Sequence, residues 1–299
     1  MIEFQDRVAV VTGAGRGLGA SHARLLASRG AAVVVNDPGV ATDGTGEEAR
    51  PADEVVTEIK AAGGAAIASY DSVADPEGGE AIVRTAVEEF GRIDIVVNNA
   101  GILRDKAFHN LEWPDLDAVL DVHLKGAFYV TRPAFLHMRE QGYGRVVMTA
   151  SNAGILGNFG QANYGAAKMG LVGLSNVLAV EGQKNNIKSN VIAPIALTRM
   201  TEGIMDGLGL KLDPEYVTSM VCYLTSEQCE LTHEVFSMGA GRYARVFVGL
   251  CPGWSDTKSE SISADDVAAH IDQIRDTRDF TIPGSAADEI MAAMESLKG

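Results

Sequence analysis

The sequence predicts an α/β protein built on a doubly wound parallel sheet with helices on both faces and a C-terminal extension. Three observations carry this. Short runs rich in β-branched residues alternate with longer stretches of helical spacing along most of the 299 residues. The short runs are apolar throughout instead of alternating, as strands covered on both faces are. A glycine-rich turn, TGAGRGLG, joins the first apolar run to the first helical stretch. In such sheets ligands are expected at the carboxyl ends of the strands.

The strand candidates are residues 8–11, 32–36, 66–70, 93–98, 145–149, 188–193 and 235–238. Between them, helical spacing runs over 17–29, 52–62, 77–90, 115–139, 162–184 and 214–225. Residues 1–240 therefore read as one core domain. Beyond Gly239 the pattern changes to a glycine-rich turn, a short apolar strand (ARVFVGL), CPGW and two amphipathic helices near 265–275 and 286–296. We read 241–299 as an extension packed on the same domain. The loop over 37–50, rich in Pro and Gly, is expected to be mobile. In the loop over 194–212, Met200, Ile204, Met205, Leu208 and Leu210 either face a substrate or form the buried face of a surface helix.

Composition narrows the partners. The formal charge of −15 argues against nucleic acid and anionic membranes, which reward clustered Lys and Arg. No apolar run approaches the ~18 residues of a membrane-spanning helix. The N-terminus, MIEFQDRVAVV, enters a strand with no basic and apolar leader before it. Cys222, Cys229 and Cys251 are too scattered for a disulfide framework or a zinc site, so no metal is expected. A reducing cytosol is the simplest compartment, and a small molecule the expected partner.

The glycine loop has the chemistry of a dinucleotide cradle. Gly13 lets the chain turn off the first strand, Gly17 admits close approach, and Gly19 lets the next helix pack closely; Arg16 and Leu18 stand between them. The helix N-terminus offers N–H groups and a positive dipole end to a pyrophosphate. Asp37 ends the second strand, where a carboxylate can accept hydrogen bonds from the adenosine ribose of NAD and repel the extra phosphate of NADP. Arg16 pulls weakly the other way, and NAD is the expected cofactor. Asp71, with Ser72 beside it, either bonds the adenine amino group or is a turn residue. Asn99, Ala100 and Gly101 close the fourth strand, with small residues that leave room for the adenosine.

A second constellation carries proton chemistry. Tyr164 and Lys168 are four apart on a helix and share a face. A free phenol, with a pKa of about 10, is almost wholly protonated at neutral pH. A lysine ammonium and the positive nicotinamide of NAD together favour phenolate, and a lowering of about two to three units makes Tyr164 a general base for alcohol oxidation. Ser151, at the end of the fifth strand, can hydrogen-bond the substrate oxygen. Ser151 lies in no G-x-S-x-G elbow, which argues against a hydrolase.

TGAGRGLG, NNAG, Ser151 and Tyr164-x-x-x-Lys168 together resemble the short-chain dehydrogenase/reductase family over about residues 4–240. The resemblance implies a Rossmann sheet with Ser, Tyr and Lys as the active site. In that family an asparagine in the helix before the fifth strand supports a proton relay; here His123 stands in its place, in DVHLKG. Either its side chain joins the relay or only its backbone matters. VVVNDPG, NNAGILRDKAF, VHLKGAF, GNFGQANYGAAKMGL and IAPIALTRMT are similar to the (3R)-hydroxyacyl-CoA dehydrogenase region of peroxisomal multifunctional enzyme type 2 and its single-domain bacterial relatives. That similarity implies that the segment from Pro194 to Met200 borders the nicotinamide. It implies a 3-hydroxyacyl-CoA as substrate, with a hydroxysteroid as the alternative. Arg104, Lys106 and Arg199 are candidates for holding a CoA tail. A non-catalytic NAD-binding regulator is the rival of another class. The family resemblance also implies a homodimer or homotetramer built on the 115–139 and 162–184 helices, with Met169, Leu171, Val172, Leu174 and Val177 supplying apolar surface.

Overall fold

The computed structural model describes residues 1–46, 50–196, 212–257, 259 and 261–296. In chain order the core runs β1 (Val8–Thr12), α1 (Gly17–Ser28), β2 (Ala32–Asn36), α2 (Pro51–Ala61), β3 (Ala65–Ser69), α3 (Pro76–Phe90), β4 (Ile95–Asn98), α4 (Trp113–Leu120), α5 (Gly126–Gln141), β5 (Gly144–Thr149), α6 (Asn152–Leu156), α7 (Ala162–Gly182), β6 (Ile187–Pro194), α8 (Pro214–Thr225), β7 (Val235–Gly239) and β8 (Arg242–Val246). α9 (Ala264–Ala269), α10 (Ile271–Ile274) and α11 (Ala286–Ser296) follow. The predicted fold class is borne out: the strands form a mostly parallel sheet in the order β3-β2-β1-β4-β5-β6-β7-β8. Val10 is in register with both Val34 of β2 and Val96 of β4. The strand order reverses at β1 and β4, which opens a crevice above their carboxyl ends.

The wholly apolar strands follow from this double coverage. On one face Ala9, Val11, Val33, Val35, Ile95 and Val97 pack with Leu26 of α1 and with Val217 and Val221 of α8. These strand positions are two apart, so their side chains share a face. The last strand differs from its prediction. It occupies Arg242–Val246 and not ARVFVGL, because Ala240 and Gly241 take left-handed φ values of 50° and 79° and return the chain beside β7 as a hairpin.

The helix predicted over 115–139 is also corrected. Between α4 and α5 the turn Asp121–Lys125 widens to π geometry, and it carries His123. Such widened turns recur at functional sites. Of the apolar residues expected to meet the core on one side and a second subunit on the other, Leu171, Val172 and Leu174 are buried within the chain itself, while Met169 and Val177 are exposed. The helix is apolar all round because its inner residues serve the sheet.

Two compact units divide the chain, Met1–Arg245 and Val246–Gly299. In the second, Ser263 and Asp266 form a reciprocal capping box at the start of α9. Trp254 stacks on His270 with ring centroids 4.1 Å apart, and Leu250 and Thr281 exchange two 2.9 Å backbone hydrogen bonds.

One buried polar group has a measurable consequence. His22 of α1 is fully buried, with Nδ1 2.7 Å from the Thr218 hydroxyl of α8. Thr218 gives its proton to Ser21 Oγ at 2.8 Å, so the His22 Nδ1 is the donor of the pair. Burial lowers the His22 pKa from 6.5 to about 3. Below pH 6.5 the unfolded chain takes up a proton that the folded chain refuses. The stability from this group is whole above that pH and falls toward pH 3, by on the order of 1 kcal/mol per unit. Urea unfolding at about pH 5 and about pH 7.5 should show this loss, and His22→Asn should reduce it. Equal losses in the two proteins would remove His22 as its source.

Candidate active site

The crevice over β1 and β4 deepens into a cavity of about 780 Å³. Its walls include Gly13, Arg16, Gly17, Leu18, Asp37, Ser72, Asn99, Ala100, Gly101, His123, Ser151, Tyr164, Lys168 and Pro194. Two predicted site residues are not on this surface. Gly19 lies in the first turn of α1, where a Cβ would come within 2.3 Å of the Gly13 carbonyl oxygen. Asp71 is exposed; its carboxylate accepts from Ser69 Oγ at 3.2 Å, and its carbonyl accepts from the Asn36 amide at 2.9 Å. These are the contacts of a strand-end residue, and the neighbouring Ser72 takes the place on the wall.

The loop after β1 is shaped for close approach. Gly13 has φ +60°, and a Cβ there would stand 2.8 Å from the Ala100 Cα. The Asn99 amide donates to the Thr12 and Gly13 carbonyls at 2.9 and 3.0 Å, tying the ends of β4 and β1 together. No side chain caps the N-terminus of α1, which leaves its first N–H groups for an anion. Asp37 accepts from Gly15 N at 3.0 Å and Gly39 N at 2.8 Å, so its carboxylate sits against the glycine loop. Asn36 Oδ1 and Thr149 Oγ1 are buried on residues of the cavity wall without hydrogen-bond partners. A tight glycine cradle, a fixed carboxylate and unmet polar atoms fit a dinucleotide.

Residues 37–46 of the loop after β2 build part of the wall, and residues 47–49 of that loop lie outside the described residues. Leu103 N donates to Thr42 O at 2.9 Å, Arg104 Nε donates to Asp43 O at 3.0 Å, and Val40, Ala41, Thr42 and Gly44 line the cavity. Met200, Ile204, Met205, Leu208, Leu210 and Arg199 lie outside the described residues. Arg104 and Lys106 are both drawn to Asp115, at 3.5 and 2.9 Å, and Lys106 also to Glu112 at 3.3 Å.

At the far end of the cavity stand Ser151, Tyr164 and Lys168. Ser151 caps α6, accepting from Ala153 N at 3.2 Å. Lys168 is buried and donates to the Thr149 carbonyl at 2.6 Å; its Nζ lies 5.5 Å from the centroid of the Tyr164 ring. Burial lowers the Lys168 pKa to about 7. Burial likewise pushes the Tyr164 phenol up; hydrogen bonding to Ser151 opposes this, and the charge of Asp105 adds to it. The protein alone therefore does not lower the phenol as its spacing from Lys168 suggests. Desolvation is the largest influence on both groups.

His123 is buried edge-on to Tyr164, with ring centroids 5.2 Å apart and planes at 88°. Its Nε2 lies 3.0 Å from Ile102 N and 2.8 Å from Ile102 O, while Nδ1 has no partner. Burial first, and then the Lys168 charge, hold its pKa well below 6.5. The imidazole is thus held toward its neutral form.

Sequence reasoning missed two contributors. Asn163, fully buried, donates to the carbonyls of Arg104 and Asp115 and accepts from Tyr164 N at 2.8 Å, fixing the start of α7. Gln161 donates to Asp105 Oδ2 at 2.7 Å. Only their place just before Tyr164 hinted at them. Among the described residues no cluster of three or more His, Cys, Asp or Glu is placed to hold a metal ion, and no helix is long and apolar enough to cross a membrane.

A doubly wound sheet, a dinucleotide cradle at its switch point and a Ser-Tyr-Lys group at the cradle's end define a nicotinamide-dependent oxidoreductase. The short chain dehydrogenase family pattern matches residues 7–208, and the chain belongs to that family as an NAD-dependent oxidoreductase. It is 52% identical over 281 residues to a short-chain type dehydrogenase/reductase of Mycobacterium tuberculosis, covering 94% of this chain and 98% of that one. It is 53% identical over 241 residues to peroxisomal multifunctional enzyme type 2 of mouse, covering 80% of this chain. The chain spans 32% of that mouse enzyme. Among solved structures, the full-length Drosophila multifunctional enzyme type 2 superposes with a TM-score of 0.82 at 37% identity, covering 99% of this chain and 50% of that one. A short chain dehydrogenase of Mycobacterium avium superposes with a TM-score of 0.79 at 39% identity, covering 91% and 97%. The expected cytoplasmic placement is corrected by these relatives: those from mouse, Dictyostelium and yeast are peroxisomal by name. A cysteine count reads redox conditions and not a cellular address.

Proposed function

We propose that the chain interconverts a secondary alcohol and a ketone with Tyr164 as general acid and base, and that its substrate is a 3-hydroxyacyl-CoA. The observation that carries the reaction is the convergence of Ser151, Tyr164 and Lys168 on the cavity whose opposite wall is the glycine loop and Asp37. NAD, when bound, would supply the hydride acceptor and a positively charged ring. In oxidation Tyr164 takes the hydroxyl proton as the carbinol hydride departs, and in reduction it returns one. The Ser151 hydroxyl donates to the substrate oxygen, where charge develops. Lys168 favours the phenolate when it is protonated, and its anchor on the Thr149 carbonyl keeps it beneath the ring. His123 forms a fixed, neutral wall against that ring.

The substrate class draws support from the names of relatives. A yeast relative, 51% identical over 246 residues, is a hydratase-dehydrogenase-epimerase. A Synechocystis relative, 36% identical over 251 residues, is a 3-oxoacyl-[acyl-carrier-protein] reductase. The latter acts on a ketone beside an acyl thioester. NADH formation measured side by side on 3-hydroxyacyl-CoA and hydroxysteroid alcohols tests this. Faster turnover of the steroids would overturn the thioester assignment and leave the reaction class standing.

Asp37 is the proposed source of cofactor choice. Asp37→Ala removes the negative charge that faces a ribose phosphate and frees the Gly15 N–H. The ratio of kcat/KM for NAD over NADP should fall about tenfold, the effect of some 1.4 kcal/mol. An unchanged ratio would assign Asp37 to loop structure alone.

A further inference from the structure

The segment 104–106 is fastened to the start of the helix that carries Tyr164. Lys106 N donates to Gly160 O at 2.9 Å, and Lys106 and Gln161 form a parallel bridge. The Asn163 amide donates to Arg104 O at 2.9 Å. Asp105 sits in the middle of this seam. It is exposed, and its carboxylate accepts from Gln161 Nε2 at 2.7 Å. Gln161 is itself on the cavity wall, three residues before Tyr164.

The neighbouring charges are committed elsewhere. Arg104 and Lys106 both pair with Asp115 of α4, and Lys106 also with Glu112. Among the described residues the partner of Asp105 is an amide and not a cation. The Asp105 carboxylate therefore meets a neutral donor, Gln161, on the cavity wall. Other groups face Tyr164 from the elements around it: neutral His123 from the π turn, Lys168 from its own helix and the Ser151 hydroxyl from the end of β5.

We propose that Asp105, held on the seam by Gln161, is a positioning residue for charge that sets the pH at which Tyr164 works. Its field opposes phenolate and keeps Tyr164 in the proton-donating form, the form that ketone reduction uses. The direction agrees with the raised phenol, to which the Asp105 charge contributes. The inference rests on the reading of Tyr164 as the general acid and base.

The sign follows directly. Removing a negative charge near a phenol lowers its pKa, so the pH at which oxidation gains its phenolate base moves down. Asp105→Asn keeps the shape and an acceptor for Gln161. With 3-hydroxybutyryl-CoA and NAD, or the hydroxysteroid that turns over in its place, the acid limb of the kcat profile should move down by about 0.5 pH unit at low salt. The shift should shrink in about 0.5 M salt, because the charge is exposed. Asp105→Glu should restore the wild-type limb, and Asp105→Ser, which also lacks the charge, should match Asp105→Asn. Coincident profiles, an upward shift or a shift indifferent to salt would overturn the proposal. Tyr164→Phe in the same series separates the two readings. If it abolishes turnover while Asp105→Asn leaves the limb unmoved, only the role of Asp105 fails. If it retains turnover, the reading of Tyr164 fails.

Discussion

Tyr164→Phe should lower turnover by about 100-fold or more while leaving NADH affinity within about threefold of wild type. The substitution removes one oxygen and keeps the ring. His123 meets that ring edge-on and Lys168 Nζ lies 5.5 Å from its centroid, and neither contact needs the hydroxyl. The start of α7 stays in place because Asn163 holds Tyr164 through its backbone N–H. The loss therefore reports proton transfer and not packing. Single-turnover kinetics with NADH fluorescence titration checks both halves. A near-normal rate would remove Tyr164 from the reaction, and lost NADH binding would mean that the hydroxyl serves the cofactor.

Gly19→Ala should weaken NADH binding by roughly 10- to 100-fold, the range expected when one methyl group is forced into a packed site. The new Cβ would lie 2.3 Å from the Gly13 carbonyl oxygen and 2.9 Å from the Ala14 Cα. Both are backbone atoms, so moving the Asn99 side chain, whose amide nitrogen would lie 2.6 Å away, does not relieve them. The strand end and the helix must part, which widens the loop whose N–H groups are offered to the pyrophosphate. Isothermal titration with NADH measures this directly. Unchanged affinity would show that the spacing between loop and helix does not control the cradle.

Much of this was legible because it is local. An apolar run such as VAVVT states that both faces are covered, and a glycine in TGAGRGLG marks where backbone comes close. Tyr164 and Lys168 share a face by helical geometry alone. What escaped depends on distant partners. The 115–139 pattern is continuous, yet the helix widens at His123, whose ring meets the backbone of Ile102. Nothing in the composition of the loop after β2 shows that Thr42 and Asp43 accept hydrogen bonds from Leu103 and Arg104. Leu171, Val172 and Leu174 carry no mark of whether the chain itself or a second subunit covers them, and they are buried within the chain. The upward shift of Tyr164 was hidden for the same reason. Spacing gives the neighbour Lys168, and only the fold gives the depth of burial that raises the phenol. Asp105 lies far from Tyr164 in sequence and is joined to its helix through Gln161.

Hydride transfer itself can be followed with an alcohol carrying deuterium on its carbinol carbon. Incubated with the enzyme and NAD, such a 3-hydroxyacyl-CoA should yield the ketone and NADH that has gained one deuterium by mass, and Tyr164→Phe should suppress both products together. NADH without the label, or ketone formed with no NADH, would contradict a direct transfer from substrate to cofactor across this cavity.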